Sequence, residues 1–302
     1  MAQTKTPVRT VVDSARYRKV RWFFVRLSLH LIWWDVVLNL PVGRRWRTPP
    51  SSRWPQLARR YRELAVEMGG VLIKLGQFLS TRVDLLPNEV TDELAELQDQ
   101  VPPAPIEAVV AQIEADFDCP LNTLFEWLSP DPLGAGSLAQ AHQAQLRSGE
   151  TVVVKVWRPG IAALVESDLR ICKRTFWWLT YYKPLQRQLD MARLIEEFVK
   201  VTQGELDSEA EGRNAERFAE DFADDPQICI PKVFWDYTAA HTLTMEDVSY
   251  IRIDDAEGLE AAGVSRAKVA KKIFNVFLTQ SFVTHFVHAD PHAGNLFVKP
   301  LA

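Results

Sequence analysis

Cysteine is scarce in this 302-residue chain, and what there is does not pair. Cys119, Cys172 and Cys229 are scattered, with no Cys-x-x-Cys pair, so no disulfide framework is expected. The simplest expectation is a reducing cytoplasm and three structural thiols. Excess positive charge is also missing. A net charge of −4 argues against a nucleic-acid binder that works through its global field. The first twenty residues are polar and basic, without the short apolar core and small-residue cleavage site of a secretory signal. Repeats and low-complexity tracts are absent as well. With 47% hydrophobic and 25% charged residues, the composition is that of an ordered globular chain.

No long apolar run is uninterrupted. The nearest, residues 22–40, is broken by Arg26, His30 and Asp35. A charge at the centre of a membrane span costs about 2.5–3.5 kcal/mol, so a true span is not expected. The run is rich in Trp and Phe and flanked by Arg16, Arg18, Lys19 and Arg21 before it and Arg44, Arg45 and Arg47 after it. Two readings stay open: a helix lying at a membrane interface, or a helix docked on the rest of the protein.

What is present divides into two textures. Pro49-Pro50-Ser51-Ser52 reads as a linker closing a basic, aromatic segment over 1–50. Helical spacing follows over 54–83 (Leu57, Tyr61, Leu64, Met68), then in a helix after Pro87 (Val90, Leu94, Leu97), then after Pro105 (Ile106, Val109, Val110, Ile113, Phe117). A helical unit is therefore expected over 51–118. From there the pattern alternates. Residues 137–157 read as a hairpin that turns at Ser148-Gly149, and Pro159-Gly160 ends its second strand. Helices are expected over 161–183 and 190–222, short strands over 228–235 and 241–247, and a helix over 265–287. Helices, a small antiparallel sheet with inserted helices, and a helix before a loop make an α+β chain.

The loop is the most informative stretch. Residues 288–295 read His-Ala-Asp-Pro-His-Ala-Gly-Asn, so Asp290 precedes Asn295 by the spacing of a kinase catalytic loop, His-Arg-Asp-x-x-x-x-Asn, with Ala289 in place of Arg. In that loop the carboxylate orients or deprotonates the attacking hydroxyl and the amide oxygen ligates magnesium. Two other readings compete: a metal site of His288, Asp290 and His292, and a structural turn. Pro291 removes the helical geometry that a His-x-x-x-His pair would need.

Partners for such a loop lie upstream. Val152-Val153-Val154-Lys155 resembles the strand that presents a lysine to nucleotide phosphates. Before it, Gly134-Ala135-Gly136-Ser137 has the small side chains that let backbone N–H groups approach an anion. An acid on a helix must hold the lysine, and Glu205, Asp207, Glu209, Glu211 and Glu216 are candidates that spacing alone does not separate. Asp207 and Glu211 are expected on one helix face, four residues apart.

Five motifs in order make the resemblance specific: Lys74-Leu75-Gly76-Gln77, Gly136-Ser137-Leu138-Ala139-Gln140-Ala141-His142, Val154-Lys155-Val156-Trp157-Arg158-Pro159-Gly160, Glu205-Leu206-Asp207 with Glu211 and Asn214, and the 288–295 loop. The chain resembles the UbiB family of atypical kinases, linked to coenzyme Q and other prenyl-lipid metabolism, from about Arg18 onward. The resemblance implies a protein-kinase-like fold whose N-lobe covers 119–247 and whose incomplete C-lobe covers 248–302. It implies ATP and magnesium as cofactors. Lys155 would meet the α/β phosphates and pair with Glu211, Gly134 to Ser137 would form the phosphate loop, and Glu246 and Val248 would lie at the hinge that meets adenine. Asp290 would act in catalysis and Asn295 would hold the metal. Lys74 and Gln77 would project from the helical extension into the site, facing Glu205 and Asp207, and favour ATP hydrolysis or small-molecule phosphorylation over protein phosphorylation.

Two departures stand out. The phosphate loop is Gly-Ala-Gly-Ser where the family usually has alanines, and seven residues follow Asn295. The Asp-Phe-Gly aspartate, a magnesium ligand further downstream in kinases, is therefore expected to be missing, either because the chain is a fragment or because a second polypeptide completes it. The alternative function is a catalytically dead remnant that binds a lipid or a partner. A prenyl-lipid or quinone-precursor ligand and a peripheral membrane contact are the partners expected, and nucleic acid is not.

Overall fold

Prolines at helix starts and apolar residues at helical spacing make the first third of the computed structural model helical. It describes residues 14–38, 50–84, 86–97, 102–179, 190–288 and 293–300. Helix α1 (Ser14–Leu31) runs into a π-helical turn at Ile32–Val37 and is followed by α2 (Pro50–Met68), α3 (Val71–Ser80), α4 (Asn88–Ala95), α5 (Ile106–Phe117) and α6 (Leu121–Leu124). Where a linker is expected over 49–52, Pro50 already opens α2, because proline at the first helical position gives up an N–H that has no partner there. The helix expected over 54–83 is two helices. Gly69 and Gly70 break it with φ of 68° and 63°, in the left-handed region open to glycine.

The chain then forms β1 (Phe125–Leu128), β2 (Gly134–Ala135), β3 (Ala139–Leu146), β4 (Thr151–Trp157) and, after three helices among the described residues, β5 (Thr242–Glu246). The order is β1-β3-β4-β5 with β2 also on β3, and every pairing is antiparallel. Alternation fixes the faces. Val152, Val154 and Val156 are fully buried and pack with Val109 and Ile113 of α5. Lys155 points the other way, between Ala141 and Leu243 in register. On the buried face the polar side chains satisfy each other: Gln140 bonds His142 at 2.7 Å, and the His142 ring meets the Ser129 carbonyl at 2.8 Å.

Helices α7 (Ile161–Leu179), α8 (Met191–Gly204) and α9 (Ser208–Asp221) join β4 to β5. A single helix over 190–222 is expected from the sequence, but the chain breaks at 205–207. Asp207 leaves the helix to cap α9, accepting from Ala210 N at 2.8 Å, as Asp190 caps α8. Asp207 and Glu211 are therefore not partners on one helix face. The strand expected over 228–235 reduces to one bridge, Val233 to Met245, since Pro231 has no N–H to give a ladder.

Beyond β5 come β6 (Ile251–Arg252), α10 (Ala256–Ala261), α11 (Arg266–Thr279) and β7 (Phe297–Val298), with β6 and β7 antiparallel. The helix expected over 265–287 ends earlier: a π-helical turn at Gln280–Thr284 gives way to His285 with φ of 53°.

Among the described residues two hydrophobic clusters result. One is the sheet with α5; the other joins α1 to α4 with α7 and α8 through Val20, Phe24, Leu72, Leu75, Leu169 and Phe198. Inside the second, Arg16 of α1 pairs with Asp168 of α7 at 2.6 Å and donates to the carbonyls of Met68 and Gly69 that end α2. Burial raises the Asp168 carboxyl above its ordinary range, and Arg16 partly offsets that. Tyr61 beside them, donating to the Leu72 carbonyl at 2.6 Å, is pushed well up by burial and by Cys172 and Asp168.

Candidate active site

Lys155 and Glu211 meet across the open face of the sheet. Lys155 Nζ lies 2.7 Å from both Glu211 carboxylate oxygens, with side-chain exposures of 34% and 37%. An ion pair so open to water contributes about 1 kcal/mol or less to stability, so its consequence is positional. Three local features deliver Glu211 there. It stands in the first turn of α9, where the helix dipole favours a carboxylate. The Asp207 cap fixes where that helix starts. Gly212 lets the helix approach the sheet, since a Cβ there would come within 2.9 Å of the Trp235 ring and 3.4 Å of Leu243. Of the five acids left open by spacing, Glu211 is the one on the lysine. Glu216 instead accepts from Trp235 Nε1 at 2.5 Å, and Glu209 pairs with Arg213.

The same helix reaches the loop. Phe218, two turns past Glu211, stacks on Phe286 at 4.7 Å and lies 6.1 Å from the His288 ring. Arg217 covers the Phe286 ring at 3.9 Å. The backbone N–H of His288 donates to buried Gln280 at 3.0 Å. Asp290 and His292 fall within 289–292, outside the described residues. After them, Asn295 closes a 3-10 turn, and Ile253 N donates to the Leu296 carbonyl at 3.1 Å, bringing this segment back beside the chain that leaves β5. Seven residues of helix rise about 10 Å, so the Lys155–Glu211 pair and the entrance to the Asp290 loop share one short support. Among the described residues no group of His, Cys, Asp and Glu is arranged to hold a metal ion.

The small-residue loop is partly strand. Gly134 and Ala135 pair with Ala141 and Gln140, and the turn itself is Gly136 to Leu138, closed by Gly136 N to the Ala139 carbonyl at 2.9 Å. Arg158 braces it from below, its Nε donating to the Gly136 carbonyl and its N–H to the Leu138 carbonyl, each at 2.9 Å. Burial lowers the Arg158 pKa from its ordinary value. Ser137 is 2% exposed, and its hydroxyl has no partner among the described residues. A buried hydroxyl without a partner in a turn of small residues fits an acceptor-rich ligand.

At the other end of the sheet, Glu246 N donates to the Lys232 carbonyl at 2.8 Å and Val248 accepts from Tyr250 N at 2.7 Å. Asp247 between them accepts from Gln143 at 2.6 Å and Ser249 N at 2.8 Å. Burial raises its pKa, but these bonds outweigh it and leave it below the ordinary value. An open cleft of about 660 Å³ borders Gln143, Thr151, Glu246 and Asp247; a second, of about 640 Å³, borders Lys200, Gln203 and Asp207. Neither is lined by Lys155.

From the helical extension, Lys74 Nζ reaches Glu205 at 3.1 Å. Gln77 does not join it: its amide donates to the Leu97 carbonyl at 3.0 Å, inside the extension. Asp207, expected to face Lys74, is occupied in capping α9 and lies 3.9 Å from Arg213. Gly76 between Lys74 and Gln77 is a packing residue, because a Cβ there would overlap Leu97 at 2.1 Å. Sequence reasoning assigned no role to Gly212 or Arg158. A glycine within a helix costs about 1 kcal/mol relative to alanine, which was a signal in itself.

Comparison with known proteins agrees with this geometry. The protein-family description "ABC1 atypical kinase-like domain" matches residues 96–301. A "Probable protein kinase UbiB" of Marinobacter nauticus is 38% identical over 287 residues, covering 94% of this chain and 52% of the relative. "Protein ACTIVITY OF BC1 COMPLEX KINASE 7, chloroplastic" of Arabidopsis thaliana is 37% identical over 278 residues, covering 92% and 40%. The chain thus spans about half the length of the curated relatives it matches. Among solved structures, the complex of Rv3197 with erythromycin from Mycobacterium tuberculosis superposes with a TM-score of 0.54 at 24% identity, over 78% of this chain and 59% of that one, and shows the same fold. The helical extension, the five-stranded sheet with its lysine and the matched family description lead to one conclusion: the chain belongs to the ABC1 atypical kinase-like family, which includes the UbiB proteins.

Proposed function

We propose that this chain binds ATP with magnesium and works as a UbiB-type atypical kinase or ATPase that supports ubiquinone or other prenyl-lipid metabolism. The observation that carries the reading is the Lys155–Glu211 pair at 2.7 Å, on a helix whose other end stacks on the entrance to the Asp290 loop. In this reading Lys155 holds the α/β phosphates, Glu211 fixes the amine, and the turn at Gly134 to Ser137 offers backbone N–H groups and the Ser137 hydroxyl to the phosphate oxygens. Glu246 and Val248 meet the base through their backbone. Asp290 orients the attacking hydroxyl or water, and Asn295 contributes an oxygen to the metal. Bound magnesium supplies charge neutralisation of the phosphates. Lys74, held on Glu205, stands at the border between extension and lobe, where it narrows access for a bulky acceptor.

Magnesium-ATP-dependent thermal shift, measured on this chain with Lys155→Ala, Glu211→Gln and Asp290→Asn beside it, tests the proposal. The expected outcome is a rise in Tm for the parent chain, lost in Lys155→Ala, reduced in Glu211→Gln and kept in Asp290→Asn, whose hydrolysis alone is impaired. An equal rise in the parent chain and Lys155→Ala would refute it.

A further inference from the structure

The face of the sheet that carries Lys155 has a second polar contact, at the end away from the small-residue turn. Ala141 lies opposite Lys155 in register and Gln143 opposite Val153, which in turn lies opposite Met245 of β5. Side chains two apart on a strand share a face, so Gln143 stands beside the lysine row, about 7 Å further along β3. Asp247, two residues past Met245, follows on the same side. Gln143 Nε2 donates to Asp247 Oδ2 at 2.6 Å, across the β4 strand that separates them. The other carboxylate oxygen accepts from Ser249 N at 2.8 Å, and Val248 O accepts from Tyr250 N at 2.7 Å, which winds 247–250 into a turn. Asp247 is thus tied both to its own turn and to the sheet. An open cleft of about 660 Å³ borders both partners. We infer that Gln143 and Asp247 are positioning residues for base recognition: the Gln143 amide, by holding the Asp247 carboxylate, fixes the backbone of Glu246 and Val248 in the orientation that takes adenine and refuses guanine.

The inference rests on the nucleotide reading above and adds to it where selection between bases is made. Adenine offers an amine donor where guanine offers a carbonyl acceptor. Backbone groups tell the two apart only while their directions are held, because a turn free to rotate could satisfy either base. A hydrogen bond to a carboxylate is strong enough to hold such a turn. Lys155 and Ser137 act at the phosphate end, which every nucleoside triphosphate shares, and so contribute affinity without selection.

The test is titration calorimetry of the full chain with magnesium-ATP, magnesium-GTP and magnesium tripolyphosphate. The parent chain is expected to prefer ATP to GTP. In Gln143→Ala the ATP affinity falls about tenfold and the ATP-to-GTP ratio falls with it, while tripolyphosphate, which has no base, binds as before. Gln143→Met fills the same space without a donor and gives the alanine result, which separates the lost bond from lost packing. Gln143→Lys keeps a donor for the carboxylate and restores the preference for ATP. An unchanged ratio in Gln143→Ala overturns the inference and leaves the nucleotide reading standing, as does an equal loss of ATP and tripolyphosphate. A parent chain that binds ATP no better than GTP overturns it likewise. No binding of any of the three probes to the parent chain refutes the nucleotide reading itself, and this inference with it.

Discussion

At the scale of single residues, the site depends on two glycines in opposite senses. Gly212 is a close-approach residue: an alanine Cβ would sit 2.9 Å from the Trp235 ring, which Glu216 holds by a 2.5 Å hydrogen bond and which therefore cannot swing aside freely. Gly212→Ala gains about 1 kcal/mol of helix propensity and loses about 1–3 kcal/mol to overpacking. Net destabilisation is expected in urea unfolding, together with a smaller magnesium-ATP thermal shift as α9 backs away from Lys155. Unchanged stability would mean that the Trp235 contact is soft. Gly134 is the reverse. A Cβ there meets nothing within 4 Å, and its φ is not positive. Gly134→Ala should therefore stabilise the fold by about 0.4–1 kcal/mol, through the unfolded chain, as a rise in urea midpoint would show. A family alanine at this position is then sterically open to this chain.

At the scale of elements, α11 is held by little. None of its residues is buried, and Phe274, Leu278 and, just beyond it, Phe282 are exposed. One specific tether is the Lys272 ammonium on Asp225, at 2.5 Å, which joins α11 to the turn after α9. The hydrogen bond from Lys272, helped by the Gln227 N–H, holds the Asp225 carboxyl below its ordinary value of 3.8. The sign follows from the direction. A depressed folded-state pKa adds stability that is present above the unfolded value and is lost as pH falls through the folded one. Amide exchange in α11 should therefore be slower in the parent chain than in Asp225→Asn above pH 4, with the gap closing as the pH falls below 3.8. A constant gap across that range would exclude the ion pair as its cause.

At the scale of the whole molecule, what was legible in the sequence follows how local each cause is. Alternation around Lys155 gave strand and face together, because a period of two leaves no choice once Val152, Val154 and Val156 must be buried. The family, read from five motifs, and the α+β class were legible for the same reason. Spacing alone did not separate Glu211 from the other four acids, since that depends on a helix break at 205–207 and on the room left by Gly212, both tertiary matters; only the family resemblance pointed to it. Gln77 was misplaced because its partner, the Leu97 carbonyl, lies on a segment twenty residues away. The least legible feature was how the helical extension is joined to the rest. Phe24 of α1, 5% exposed, belongs to one cluster with Leu72 and Leu75 of α3, Leu169 of α7 and Phe198 of α8, and α8 leads directly to Glu205 and α9. Extension and lobe therefore share a core instead of meeting as two surfaces. A shared core predicts shared unfolding: Phe24→Ala, which removes a ring from that cluster, should cost about 3–5 kcal/mol and lower the melting of the whole chain in one transition, followed by calorimetry and by Trp fluorescence together. If the extension melted first, leaving a later transition unmoved, the cluster would be two cores in contact, and α1 a detachable arm.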